Sequence, residues 1–203
     1  MFTVIGLVAK PGAGKGTVLE LIRGMVPVFL GSDLRIASPK FSDFPREELA
    51  RHGIPATRDA MQKFVQDMDR EALLRGEKPG ALSREVRKRI EKMNDAEIVI
   101  VDGVRWLTDE EMIRSFPNNF LLYIHTDAPT RLERIRERGQ NPGDATKTTE
   151  EFLKEDAAPN EQYIEQIGAR ADVRIENNGD EKNLEDQVLE FVLNTVCKRI
   201  FVA

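Results

Sequence analysis

Near the amino terminus the chain reads Ala9-Lys-Pro-Gly-Ala-Gly-Lys-Gly-Thr17. These residue types, so spaced, suit the binding of a phosphate chain. Gly12, Gly14 and Gly16 let the backbone curl tightly and keep side chains away from an incoming anion. In such a curl successive N–H groups, that of Ala13 among them, point inward as an anion nest, helped by the start of the next helix. Lys15 would set an ammonium against the β- and γ-phosphates, and Thr17 a hydroxyl toward Mg²⁺ or a phosphate. An apolar run precedes the loop and a helical pattern, Val18-Leu-Glu-Leu-Ile22, follows it, which is the context such a loop requires. Two positions depart from the usual pattern. Ala9 stands where a glycine is usual, and works if its φ is negative. Gly16 takes the slot after the lysine where Ser or Thr is usual, and the hydroxyl comes one later. The alternative is a flexible glycine-rich turn with a stray lysine.

Other residues extend the same chemistry. Ile98-Val-Ile-Val-Asp102 is an apolar run ending in an acid, which suits a carboxylate that orients Mg²⁺. A turn-capping aspartate is the alternative. Gly103 and Arg105 follow directly, beyond a strand's carboxyl end, where open α/β sheets bind ligands. Arg131, Arg134 and Arg138 recur at spacings of three and four, so they share one helical face, and Arg136 points elsewhere. Such arginines can stabilise a phosphoryl group in transfer. With Glu133 and Glu137 they could equally form a salt-bridged surface helix.

Pro-Gly-Ala-Gly-Lys-Gly-Thr resembles the phosphate loop of adenylate kinases and related nucleoside monophosphate kinases, which share the Lys-Gly-Thr ending. Most of the chain is similar to adenylate-kinase-related P-loop proteins, some of them described as similar to dephospho-coenzyme A kinase. The resemblance implies ATP as donor with Mg²⁺, and a small nucleotide as acceptor. Asp102-Gly-Val-Arg105 resembles the segment whose arginine binds the acceptor's phosphate. Gly31-Ser-Asp-Leu-Arg35 resembles the Gly-Asp-x-x-Arg segment whose arginine grips the monophosphate, with Asp33 and Arg35 two apart instead of three. In related kinases of a hydroxyl, an aspartate near this place is the general base, a role implied for Asp33. Arg134 and Arg138 match the spacing of two lid arginines that clamp the phosphates. Beyond the lid a basic residue, often Arg before Asp, is expected; this chain has Phe152-Leu-Lys-Glu-Asp156, with Lys154 as a substitute. Ile175-Glu-Asn-Asn-Gly179 resembles the segment near the donor's adenine, which implies a contact at Asn178; an ordinary turn is the alternative.

The elements that must position these residues can be read from hydrophobic period. Short apolar runs at 2–8, 26–30, 97–102, 120–125 and 171–176 read as strands, separated by helical patterns. The expected fold is α/β: a three-layer doubly wound parallel sheet of about five strands in one domain. Residues 33–94 read as a long, charged helical insertion without a strand, suited to the acceptor. Arg58 and Arg84 are its candidates to reach the site. Residues 134–150, around a Gly- and Pro-bearing loop, read as a short lid. Thr108 with Glu111 and Thr148 with Glu151 fit capping boxes, and Asp127 with Pro129 a helix start. Leu184, Val188, Phe191, Val192 and Thr195 form the stripe of a final helix.

With 203 residues, 40% hydrophobic and 32% charged, the chain suits a globular domain and is too apolar for disorder. A net charge of −5 argues against a basic nucleic-acid coat. The single cysteine, Cys197, excludes an internal disulfide framework and reads as core. His52 and His125 fit no metal spacing, and Trp106 reads as packing. No apolar run reaches the length of a membrane span. The expectation is a cytoplasmic monomer or homodimer that binds a small nucleotide substrate, with no nucleic-acid or membrane partner.

Overall fold

The computed structural model describes residues 2–198. Its five strands are β1 (Thr3–Ala9), β2 (Ile36–Ala37), β3 (Ile98–Val104), β4 (Asn119–His125) and β5 (Val173–Glu176). They form one all-parallel sheet in the order β2-β3-β1-β4-β5, so every crossover needs a helix. Central strands rich in Val, Ile and Leu are buried on both faces, as a sheet covered on both sides requires.

Alternation along the strands feeds two cores. Ile5, Leu7, Ile98, Ile100, Leu122 and Ile124 face one side, against α1 (Lys15–Leu30) and α9 (Glu181–Phe191) with the π-helical turn after it. Val4, Val8, Val99, Val101, Leu121 and Tyr123 face the other, against α4 (Ala81–Glu91), α5 (Leu107–Arg114) and α8 (Ile164–Gly168). Leu184, Val188, Phe191 and Val192 bury the stripe expected of the final helix. Cys197 is a buried residue of the same core.

Several local expectations change. Residues 26–30 are the last turns of α1, not a strand. Val18, Ile22 and Val26 are fully buried at helical spacing, whereas Val28 is 75% and Phe29 41% exposed. Each such burial contributes roughly 1.5–3 kcal/mol. Together they outweigh the roughly 3 kcal/mol that a helix-interior proline, here Pro27, costs. The second strand instead lies within residues 33–94, as the two-residue β2. The helical lobe is α2 (Asp43–Arg51) and α3 (Arg58–Leu74), because Val86 and Ile90 of α4 belong to the sheet's second core. The cap expected at Thr148 is present, its hydroxyl accepting from Glu151 N, and opens α7 (Thr149–Asp156). That expected at Thr108 shifts: the cap is Trp106, two residues earlier, and the buried Asp109 accepts from the amides of Arg105 and Trp106. Helix α6 (Ala128–Arg138) begins at Asp127 as expected. Among the described residues no helix is long and apolar enough to cross a membrane.

Candidate active site

β1 ends on the buried Ala9, whose backbone avoids positive φ, so its methyl is accommodated. The chain then turns, Ala13 N donating to Lys10 O at 3.2 Å, and enters α1 at Lys15. Gly14 has φ 89°, and a Cβ there would lie 2.2 Å from Asn177 Nδ2. Both the backbone conformation and the approach of Asn177 require glycine. Asn177 is buried and donates to the Ala13 carbonyl at 2.9 Å. Thr126 Oγ1 lies 3.2 Å from the same oxygen. Sequence reasoning missed both residues, since each follows a strand, β5 or β4, more than a hundred positions from the loop.

Behind the loop lies a buried ion cluster. Arg131, 3% exposed, donates from Nε to Thr126 O and makes a two-pronged pair with Asp156 at 2.6 and 2.9 Å. Lys10 Nζ adds a third bond to Asp156 at 2.9 Å. Burial pushes the Asp156 carboxyl up, but the hydrogen bonds from Arg131 and Lys10 prevail and hold it below its ordinary value. Arg131 is therefore engaged in fastening α6 and α7 to the loop. Asp156 stands where the post-lid basic pattern led, and Lys154 beside it is exposed. The lid itself is short. Asp144, buried in a 3₁₀ turn, accepts from Asn141 N and Lys147 Nζ, and Leu132, Ile135 and Phe152 pack beneath.

Three charged groups meet at the loop. Lys15 Nζ lies 2.7 Å from Asp102 Oδ1. That oxygen is buried, with the Lys15 ammonium against it. Asp102 is held where β3 shifts register against β1 between Leu7 and Val8, with its N–H on Pro39 O and its carbonyl on Phe41 N. Arg134 brings Nη1 to 3.8 Å from the Cβ position of Gly14; that nitrogen is buried and has no hydrogen-bond partner. A buried guanidinium N–H without an acceptor is costly, and an anion on the loop would satisfy it. Gly16 and Thr17 are exposed on the first turn of α1, and nothing lies within 4 Å of a Gly16 Cβ. The Ala13 amide, expected in the anion nest, is instead taken by Lys10 O; a triphosphate with Mg²⁺ still fits the rest of the donor set, the first-turn amides of α1 with Lys15 and Arg134 for phosphate, Thr17 and Asp102 for the metal.

Other expected site residues lie elsewhere. Asp33 and Arg35 follow the far end of α1. Arg35 accepts from the Glu97 and Ile98 amides through its carbonyl and faces Asp95 at 3.4 Å. Both precede β2, at the amino edge of the sheet, while the phosphate loop is at the carboxyl edge. The shift of the second strand from 26–30 to Ile36–Ala37 causes this. Arg138 is exposed at the last position of α6. Asn178 accepts from Asp127 N at the start of α6. Arg84 bonds Glu77 and the Lys78 carbonyl within its own loop. His125 pairs with Glu176 at 2.7 Å, and Trp106 packs on Tyr163. Arg105 does lie beyond β3 at the carboxyl edge, but its guanidinium is paired at 2.6 Å with Glu161, a fully buried acid that sequence reasoning did not single out. The Glu161 carboxyl is raised by burial, against the pull of Arg105, Arg58 and Lys15. Arg58 also reaches across to Glu155 of α7 at 3.5 Å.

Residues 8–154 match the family model described as AAA domain. The chain is similar to a UPF0200 protein of Pyrococcus horikoshii, 34% identical over 183 residues, 86% of this chain and 88% of that one. Among solved structures it resembles TT1252 from Thermus thermophilus, with TM-score 0.59, 19% identity, and 95% and 97% of the two chains covered. A shikimate kinase from Bacteroides thetaiotaomicron aligns with TM-score 0.53 at 16% identity, over 95% and 98%. These structural likenesses establish a P-loop kinase-like fold.

Proposed function

The chain belongs to the AAA-domain family and to the UPF0200 proteins, and from that premise we propose that it is an ATP-dependent phosphotransferase acting on a small molecule. The observation that carries this is the convergence of the Lys15–Asp102 ion pair and the unpartnered Nη1 of Arg134 on a loop already closed by Asn177. Gly12, Ala13, Gly14, Lys15, Gly16 and Thr17 bind the donor's phosphates. Thr17 and Asp102 hold Mg²⁺, which when bound neutralises charge on the phosphate oxygens. Arg134 donates to the group in transfer, and Arg138 joins it when the lid closes. Asn178 lies beside the loop's support and contacts the donor's base. The residues act by positioning and by fixed charge, and the lid excludes water.

The phosphate-loop resemblance supports a nucleoside monophosphate as acceptor, gripped by Arg105. A second reading, a hydroxyl acceptor such as a nucleoside or dephospho-coenzyme A, is favoured by one observation: Glu161 already balances the charge of Arg105. Asp33 and Arg35 have no part in either, since both precede β2.

The test is thin-layer separation of products from labelled ATP, Mg²⁺ and a panel of acceptors. Label is expected in one acceptor class. Lys15→Ala is expected to lower transfer by ~10²–10³-fold, the usual loss for one donor to transition-state charge, while melting stays cooperative. Release of inorganic phosphate alone with every acceptor would remove the proposal in favour of an ATPase or switch.

A further inference from the structure

Glu161 lies in the turn between α7 and α8, its amide bonded to Ala158 O. Its side chain is fully buried. One oxygen, Oε1, accepts from both Arg105 Nη1 and Asn160 Nδ2, each at 2.6 Å. The other, Oε2, is buried without any hydrogen-bond partner. An unsatisfied buried carboxylate oxygen is among the costlier features a fold can retain, so it calls for a physical reason.

The charges that face this carboxylate come from four separate parts of the chain. Arg105 follows β3, Arg58 opens α3, Lys15 belongs to the phosphate loop, and Asp156, the one like charge, ends α7. The carboxylate therefore stands beside the residue that follows β3 and within the electrostatic reach of the phosphate loop, of the start of α3 and of the end of α7. A phosphate brought here would meet a carboxylate, and Arg105, the cation meant to hold it, is already matched. Placing like charges together in such a site opposes binding. A neutral hydroxyl has the opposite fit: its proton supplies the donor that Oε2 lacks.

Resting on the phosphotransferase reading, we propose that Glu161 is the proton acceptor of the reaction and that the acceptor substrate presents a hydroxyl group. The acceptor's O–H is directed at Oε2, and its oxygen attacks the γ-phosphorus of ATP. The new oxygen–phosphorus bond forms as the bond from the γ-phosphorus to the β,γ-bridging oxygen breaks. The hydroxyl proton passes to Glu161, ADP leaves with the bond's electron pair, and Glu161 then returns the proton to solvent. Burial raises the carboxyl and so strengthens it as a base, while Arg105, Arg58 and Lys15 oppose that rise. The remaining N–H groups of Arg105 orient the acceptor.

The experiment uses the full chain with labelled ATP, Mg²⁺ and two acceptor sets: nucleosides with dephospho-coenzyme A, and nucleoside 5′-monophosphates. Transfer to a member of the hydroxyl set is expected. Glu161→Gln keeps a carbonyl oxygen for Arg105 and Asn160, puts an amide nitrogen in place of the free carboxylate oxygen, and removes the negative charge and the proton-accepting capacity with it. It should lower kcat by ~10²–10⁴-fold, the usual contribution of a general base, with acceptor KM changed only a few-fold. Glu161→Asp, with its charge kept and its reach shortened, should recover part of the loss. Calorimetric ATP binding by both variants reports that the phosphate loop is intact. Transfer to monophosphates alone would overturn the role of Glu161 and leave the phosphotransferase reading standing, as would full kcat in Glu161→Gln with a hydroxyl acceptor. Absence of transfer to either set would overturn both.

Discussion

The phosphate loop and the acceptor side of the cleft are built in different ways. The loop's ligand groups occupy one short run, 9–17, and its backbone is closed by Asn177, Thr126 and the Arg131–Asp156–Lys10 cluster. The acceptor side has no such run. Arg105, Arg58 and Glu161 come from separate elements, and a buried polar atom there, Glu161 Oε2, lacks a hydrogen-bond partner. One region is satisfied in advance and rigid behind its binding surface. The other keeps unsatisfied capacity that a substrate can fill. Preorganised support with open valence at the reacting positions is the arrangement that electrostatic catalysis needs.

Breaking the loop's support should have the largest effect. Arg131→Met leaves Asp156 buried with Lys10 as its one cation, and loss of one member of a buried pair costs about 3–5 kcal/mol. Urea unfolding should show that loss. A change under about 1 kcal/mol, the scale of an exposed pair, would mean that the cluster does not hold the lid to the loop.

The two regions should also respond oppositely to pH. Asp156, on the loop side, titrates below its ordinary value of 3.8, so its contribution is present above that pH and lost on acidification. Asp109 lies behind Arg105 on the acceptor side, and desolvation by burial raises its pKa from 3.8 to about 6. A raised carboxyl stabilises the fold below pH 3.8 and that contribution is lost as pH rises through 6, an effect of order 3 kcal/mol. Asp109→Asn should therefore flatten the stability profile between roughly pH 4 and 6. The carboxamide oxygen that this substitution introduces would still accept from the Arg105 and Trp106 amides. An unchanged profile in denaturant titrations across that range would reject the assignment.

Gly14→Ala sharpens the comparison from the loop's own backbone. Its positive φ and the 2.2 Å approach of Asn177 make any side chain strained, by about 1–2 kcal/mol. ATP affinity by calorimetry should fall about tenfold. Equal affinity would show the loop to be softer than its contacts imply. The smallest effects are expected at the amino edge. Asp33→Asn and Arg35→Ala should leave turnover within about twofold and stability within ~0.5 kcal/mol, as for exposed surface changes. A large loss of transfer in Asp33→Asn would return that residue to the site.

The difference between the regions also explains what could be read from the chain alone. The loop, the acid within β3 and Arg134 were legible because each depends on local spacing: a glycine-rich turn, an apolar run closed by an acid, a helical period. Residues 26–30 misled, since Pro-Val-Phe-Leu looks like a strand until the burial of Val26 with Ile22 and Val18 is known. That single misplacement carried Asp33 and Arg35 to the wrong edge of the sheet. Asn177 and Glu161 had no local pattern to reveal them, and the pattern beyond the lid pointed to Lys154 instead of Asp156.

The order of residues by itself determined an α/β chain with a phosphate-binding turn at its start, because those features are set by neighbours within a few positions. Which arginine supports the loop and which keeps an unpartnered nitrogen beside it, and which carboxylate is buried against Arg105, were decided only by tertiary structure. Arg131 and Arg134 sit on the same helix three residues apart, yet one is paired with a buried aspartate and the other ends without a partner beside Gly14. Burial, and the charges that distant segments bring to it, separates their roles.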